Sequence, residues 1–399
     1  MDTAKGVVIP VRVLLVADVS AEKLLGGAER MLTQHVRALA ETFDLTVLTR
    51  QPAPGALLAI EVAAGVTEYR LPFSGDRGLA GLRQLIRGAK DWWKQHQGEF
   101  DVVVAEQPFV MWALLRTGCD LPRLQVCYAF AFEEYVTRHG LNWNIRHKMI
   151  AAAMRKLEGT LYNHARGLLV LSEYTRRRLA ECFQPGANHI EVVYGGVDAP
   201  VLASREERKQ MRQQLGWQGP VVVTLRNLVP RTGIDMLVQA AAMLRYEMPD
   251  LRWCVMGAGV LLEPLKWLAE QLDVADRIEF TGYLPEDEVA LRMRSADAFM
   301  LPTRSLEGFG LVTVEANANG LPVVATPAGA NSEVAGSIPD NILADAITPE
   351  ALAEATRLLF ERHADHMERA ARLHAHIHAH FNWPAHDEVL LRTLRRLAS

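Results

Sequence analysis

Thr303-Arg304-Ser305-Leu306-Glu307-Gly308-Phe309-Gly310-Leu311-Val312-Thr313-Val314-Glu315 is the stretch on which the fold turns. It follows an apolar run ending at Leu301-Pro302, passes through a glycine-rich turn and enters a helical segment reaching Asn319-Gly320. Gly320 suits the position just past a helix end, and the apolar run Pro322–Ala325 follows. Strand, tight turn, helix, strand is the repeating unit of a parallel sheet. The first amides of a helix have no intrahelical acceptor and sit at the positive end of its dipole, so such a turn is a ready seat for a diphosphate. Glu307 precedes the helix and Glu315 lies inside it, eight residues on. Two carboxylates so placed can each take a pair of vicinal hydroxyls, one pair on a sugar and one on a ribose. The plainer alternative is a glycine-started helix that carries a solvated glutamate.

The same alternation extends in both directions. Short apolar runs that read as buried strands occur at Val11–Ala17, Leu45–Thr49, Val102–Ala105, Leu124–Tyr128, Gly167–Leu171 and Ile190–Val193. Helical-period segments such as Ala28–Glu41, Gly81–His96 and Tyr174–Cys182 separate them. A second series begins at Val221–Leu225 and runs through Trp253–Met256, Ile278–Thr281 and Ala298–Leu301. Its helices lie around Asp235–Tyr246, Leu261–Leu272 and Asp287–Arg294. Between the series, Pro200 and the charged run Ser204 to Arg212 read as a linker. The expectation is an α/β chain of two Rossmann-like, doubly wound domains facing a central cleft. They cover 1–199 and 200–380, and a terminal helix over 381–399 packs back on the first. A single His-rich helix is expected over Ala351 to His380. The pairs His374/His378 and His376/His380 fall on opposite faces of it, so it reads as a solvated helix rather than a metal site.

Bulk properties agree with a globular enzyme. The 399 residues exceed one ordinary core, and 49% hydrophobic with 23% charged residues excludes a mainly disordered chain. A net charge of −4 offers no electrostatic reason for a nucleic-acid partner. Cys119, Cys127, Cys182 and Cys254 show neither disulfide nor zinc spacing, which fits a reducing, cytoplasmic setting. The run Val7 to Ala17 is interrupted by Pro10 and Arg12 and reads as a first strand rather than a signal segment.

Glu307-Gly308-Phe309-Gly310 with Glu315 resembles the Glu-x7-Glu motif of glycosyltransferase family 4, retaining enzymes of the GT-B fold. Further blocks follow the family order: Gly26-Gly27-Ala28-Glu29-Arg30, Leu171-Ser172-Glu173-Tyr174-Thr175, Tyr194-Gly195-Gly196-Val197-Asp198, Gly257-Ala258-Gly259, Phe280-Thr281-Gly282-Tyr283 and Leu321 to Gly329. The resemblance implies that Glu315 holds ribose hydroxyls and Glu307 a donor-sugar hydroxyl. It implies that amides of Phe309, Gly310 and Leu311, beside Gly308, bind the diphosphate with Gly26 and Gly27 from the facing domain. Gly282 and Tyr283 would line the base pocket. The implied donor is a nucleotide sugar, most commonly a UDP-sugar. No cofactor and no metal are implied, and the reaction retains anomeric configuration without a protein nucleophile.

Two departures stand out. The family usually writes Gly-Arg-Leu and then, five residues after the Arg, Lys-Gly; here the chain reads Leu225-Arg226-Asn227-Leu228-Val229-Pro230-Arg231-Thr232-Gly233. Aligned on Gly233, the usual Arg falls on Asn227 and the usual Lys on Thr232, while Arg226 and Arg231 keep the five-residue spacing one position earlier. Guanidinium binds phosphate bidentately, so a shifted pair can do the same work. The second departure is on the acceptor side, where Tyr128 stands at the place of a histidine common in the family and Glu106 lies where acceptor contacts are common; packed core is the alternative for Tyr128.

The acceptor is expected to be a glycan, a lipid-linked molecule or a small molecule. Arg83, Arg87, Lys90, Trp92, Trp93 and Lys94, and again Arg146, His147, Lys148, Arg155 and Lys156, form basic amphipathic stretches. They read either as a peripheral contact with the inner face of a membrane or as solvated helix faces. A nucleotide-sugar epimerase on the same fold and a catalytically decayed nucleotide-sugar-binding protein are the competing readings.

Overall fold

The computed structural model describes residues 10–22, 26–75, 78–139, 144–183, 185, 189–362 and 365–398. Its first sheet is built from β1 (Arg12–Val16), β2 (Asp44–Arg50), β3 (Ala59–Ala63), β4 (Val66–Leu71), β5 (Val102–Ala105), β6 (Arg123–Cys127), β7 (Gly167–Val170) and β8 (His189–Val192). The spatial order is β3-β4-β2-β1-β5-β6-β7-β8. Every neighbouring pair is parallel except β3 with β4. The second sheet comprises β9 (Val221–Leu225), β10 (Arg252–Met256), β11 (Ile278–Gly282), β12 (Ala298–Leu301), β13 (Val323–Ala325) and β14 (Ile342–Leu343), ordered β11-β10-β9-β12-β13-β14 and parallel throughout. The central strands are buried end to end because helices cover both faces, which is why they read as unbroken apolar runs.

The structure adds elements that hydrophobic runs do not announce. The β3–β4 hairpin turns at Gly65, whose φ of 72° favours glycine. Strand β4 carries Glu68 and Arg70 at alternate positions, and both are buried, paired at 2.8 Å. Charges in a strand register look solvated until the partner is known. The charged run assigned to a linker is instead a helix, Arg205–Gln214. It starts with a reciprocal capping box between Ser204 and Glu207. The expected single helix over Ala351 to His380 is two helices, Pro349–Glu361 and His366–His380, the second capped by Asp365.

The two units share apolar packing. Phe309 and Val314 from the second half lie in one cluster with Val13, Leu15 and Val104 of the first sheet and with Phe381, Trp383 and Leu390. The last helix, Trp383–Ala398, lies against β5, β6 and β7, and its Arg392 and Arg396 pair with Glu191 of β8. In each sheet the strand order reverses beside the first strand: β1 lies between β2 and β5, and β9 between β10 and β12. Doubly wound sheets place ligands at the carboxyl ends of strands at such a reversal.

Candidate active site

The loops that leave β9 and β12 stand at the reversal in the second sheet, and they carry the acid and the arginines singled out by sequence. The Glu307 side chain is 10% exposed. Its Oε2 accepts from Arg226 Nη2 at 2.8 Å and from Thr303 Oγ1 at 2.9 Å. Arg226 is thereby engaged as the counter-ion of Glu307. Arg231 is held more loosely: its guanidinium stands 3.5 Å from the Leu306 carbonyl and 3.5 Å from Glu134 of the facing unit, with 26% of the side chain exposed. Thr232 is buried and donates to the carbonyls of Asn227 and Val229, so it closes the turn rather than offering a phosphate contact. The Asn227 side chain is exposed.

The turn between β12 and the Leu311–Ala318 helix is shaped by close contacts. Leu306, a non-glycine residue, adopts φ 60°, and Gly310 caps the helix at φ 84°. Such a backbone at a branched side chain costs about 1 kcal/mol or more and marks a constrained loop. A side chain at Gly308 would meet the Tyr128 carbonyl of the facing unit at 2.0 Å. Gly308 itself is held across the cleft, its carbonyl accepting from Ser172 Oγ at 2.6 Å and Thr175 Oγ1 at 3.0 Å. The Phe309 ring is buried in the shared core, 6.0 Å from the Tyr194 ring and 6.2 Å from Phe381. Its backbone is thus anchored at the helix start.

No side chain caps the amides of that helix at Gly310, nor those of the helices beginning after Gly233, Leu261, Pro285 and Ala330. The first unit is different. There Asp18 accepts from the amides of Phe109 and Val110, and Glu158 from those of Ala131 and Phe132. Glu333, which belongs to the second unit, accepts from Glu173 and Tyr174 at 2.8 and 2.9 Å. Three helix starts in the first unit therefore already have their amides bonded to carboxyl groups. The second-unit starts at Gly310, Gly233, Leu261, Pro285 and Ala330, and the Gly27–Ala40 helix at Gly26, lack a side-chain cap, whereas Ser204, Thr348 and Asp365 cap the other second-unit helices. Free amides at the positive end of a helix attract anions, and the start at Gly310 offers them beside Glu307 and Arg231.

Glu315 lies one turn into the Leu311–Ala318 helix with 22% of its side chain exposed. Desolvation pushes its carboxyl up, Arg30 draws it down, and the charge of Glu286 adds to the rise. Arg30 reaches across the cleft to both acids, at 3.4 Å to Glu315 and 2.8 Å to Glu286. Arg30 lies inside the glycine block, yet no local signal gives it this role, because Glu286 is 256 residues away. Gly282 ends β11 with its carbonyl bonded to the amide of Gly257, and Tyr283 is two-thirds exposed beside it.

On the opposite wall, Glu106 and Tyr128 sit at the carboxyl ends of β5 and β6. Glu106 is buried against His35 at 2.7 Å, and His35 meets His386 of the last helix at 2.9 Å. His386 Nδ1 faces the Tyr194 carbonyl, so it carries the hydrogen; burial, with His35 beside it, pulls its pKa down to about 3. His386 Nε2 then accepts from His35. The Tyr128 phenol, buried beside Glu106, has its pKa pushed well up by desolvation and that neighbour. His35 and His386 come from two helices and are buried with Glu106, so the three form an interior polar cluster rather than an open contact surface. Among the described residues no cluster of three or more His, Cys, Asp or Glu side chains has metal-binding geometry.

Residues 25–200 match the family model described as Glycosyltransferase Family 4, and residues 207–374 match that described as Glycosyl transferases group 1. The chain is 36% identical over 223 residues to the GDP-mannose-dependent alpha-(1-6)-phosphatidylinositol monomannoside mannosyltransferase of Mycolicibacterium smegmatis, a match covering 53% of this chain and 57% of that protein. It is 30% identical over 246 residues to the D-inositol 3-phosphate glycosyltransferase of Segniliparus rotundus, over 60% and 54% of the two lengths. These matches span little more than half of the curated relatives. The sucrose-phosphate synthase structure from Thermosynechococcus elongatus superposes with a TM-score of 0.82 at 19% identity, covering 97% of this chain and 99% of that one. Two family models in succession over most of the chain, on two facing Rossmann-like domains, place this protein in glycosyltransferase family 4 with the GT-B fold.

Proposed function

We propose that the protein transfers mannose from GDP-mannose to a hydroxyl of a membrane-associated acceptor, with retention and without a metal ion. The observation that carries the reaction class is the uncapped helix start at Gly310, flanked by the buried Glu307 and by Glu315 and faced by Arg231. The donor departs from the UDP-sugar expected from sequence, because the first four curated relatives are named as GDP-mannose-dependent. Retention is part of this proposal and is supported by the chain's membership of glycosyltransferase family 4.

In this reading the diphosphate lies on the amides of Phe309, Gly310 and Leu311, and Arg231 turns from its long contacts to neutralise the departing charge. Arg226 and Thr303 aim Glu307 at a donor-sugar hydroxyl. Glu315 takes the ribose diol, and Tyr283 borders the base. The departing phosphate receives the acceptor proton, so the bond to the leaving group breaks as the new glycosidic bond forms on the same face. Fixed amides and guanidinium groups supply the positive charge that a metal would otherwise provide.

For the acceptor, the Ile145–Asn163 helix opens with Ile145 and Met149 exposed beside Arg146 and Lys148, one turn of apolar and basic side chains suited to an anionic lipid surface. Trp92 and Trp93 are instead buried in the core, which leaves the basic side of their helix a solvated face. No helix among the described residues is long and apolar enough to cross a membrane.

The test is transfer of radiolabel from GDP-mannose, with UDP-sugars as controls, to lipid extracts presented in vesicles and in the presence of EDTA. Labelled product with GDP-mannose in EDTA is the expected result. Sugar isomerised without acceptor, nucleotide binding without turnover, or activity restored only by Mn²⁺ or Mg²⁺ would each contradict the reading.

A further inference from the structure

We propose that Arg30 is a positioning residue of the donor site supplied by the opposite domain, its guanidinium shared between Glu286 and Glu315 so that Glu315 is aimed at the ribose diol only when the cleft is closed. The inference rests on the donor-site reading above. It begins from three side chains on three helices: Arg30 on Gly27–Ala40, Glu286 on Glu286–Ser295 and Glu315 on Leu311–Ala318. Arg30 Nη2 stands 2.8 Å from Glu286 and Arg30 Nε 3.4 Å from Glu315. A planar guanidinium presents donors on two edges and can bridge two acids; an ammonium on a flexible stem cannot hold both in one plane. The backbone amide of Arg30 is bonded to the Gly26 carbonyl, so its base is fixed at the uncapped start of the Gly27–Ala40 helix.

The bridge has a chemical consequence. To accept from two ribose hydroxyls, Glu315 must be a carboxylate. Desolvation and the nearby charge of Glu286 both oppose ionisation, and Arg30 is the group that favours it. Arg30 and Glu286 are the charged groups facing Glu315, one from each side of the cleft. Opening the cleft removes Arg30 from that pair. A nucleotide is then gripped fully only by the closed form, and domain closure and donor recognition become one event.

Calorimetric titration of GDP and UDP into the full chain and its Arg30→Ala, Arg30→Lys and Glu315→Gln variants, between pH 5.5 and 8.5, tests this. In the unsubstituted protein, affinity falls as acid protonates Glu315. In Arg30→Ala the affinity for the preferred nucleotide is expected to drop about tenfold or more near neutral pH, and the midpoint of its loss to move to higher pH. Arg30→Lys restores the midpoint better than the affinity. In a Glu315→Gln background, Arg30→Ala is expected to cost little more, since the two act as a unit. Unchanged affinity and midpoint in Arg30→Ala, with binding still dependent on Glu315, overturns the proposal and leaves the donor site standing. Failure of the unsubstituted protein to bind either nucleotide removes the donor site and the proposal together. Equal melting temperatures of the variants exclude a folding defect as the cause.

Discussion

Arg226 and Arg231 occupy one loop and have the same side chain, yet their surroundings give them different work. Arg226 is 10% exposed and paired with Glu307, so its charge is already matched. Arg231 has contacts no shorter than 3.5 Å and a quarter of its surface open, which leaves it able to turn to an arriving diphosphate. Arg231→Ala is therefore expected to lower kcat/KM by roughly 2–4 kcal/mol of transition-state stabilisation, and steady-state kinetics that leave kcat/KM unaltered would take it out of the site. Glu158 makes a separate prediction at this scale. It is buried and caps the Ala131–His139 helix, and desolvation raises its pKa to about 7 from 4.5. Because the folded value lies above the unfolded one, the stability tied to its proton is present below pH 4.5 and is lost as pH rises through about 7. Between those limits the unsubstituted protein is expected to lose roughly 3 kcal/mol relative to Glu158→Gln. Urea unfolding of the pair across that range measures it, and parallel curves would show that Glu158 stays ionised throughout.

Helix starts are the elements that divide the molecule chemically. Three in the first unit receive carboxylates from Asp18, Glu158 and Glu333, whereas the start at Gly310 has no side-chain cap. An anion therefore meets free amides at Gly310 and bonded ones at those three starts. The diphosphate turn depends on its fit as well as its charge. At Gly308 the facing Tyr128 carbonyl leaves no space for a methyl group. Gly308→Ala is expected to reduce kcat at least tenfold while circular dichroism stays native, because the turn can move away from the facing unit without unfolding its own sheet. Full activity would mean that this contact opens during turnover.

At the scale of the whole molecule, side-chain bonds join the two units across the cleft. Glu333 caps the Glu173–Phe183 helix, Ser172 and Thr175 grip the Gly308 carbonyl, and Arg30 reaches Glu286 and Glu315. Glutamine at position 333 keeps one acceptor oxygen and loses the charge that faces the helix dipole. Glu333→Gln is expected to give a larger radius of gyration in small-angle scattering with GDP present, and a kcat/KM about tenfold lower. The same radius and rate as the unsubstituted protein would show that Glu333 caps its helix without governing closure.

Much of this was legible in the chain itself. Apolar runs at β1, β5, β9 and β12, alternating with helical-period segments, announce strands buried on both faces, as a helix-covered parallel sheet requires. Spacing singles out Glu307, the glycines and Glu315, since one turn and one short helix hold them all, and the family resemblance supplies the roles proposed for them. Other features depended on partners distant in sequence. Glu68 and Arg70 hide a strand because each neutralises the other inside the sheet, and the charged residues after Ser204 are a capped helix rather than a linker. The roles of Arg30, Glu333, His35 and His386 come from contacts between segments far apart in the chain. Local propensity and periodicity are written within a few turns of chain; which acid meets which arginine is decided by how the two sheets pack, and packing alone gives a charge its function.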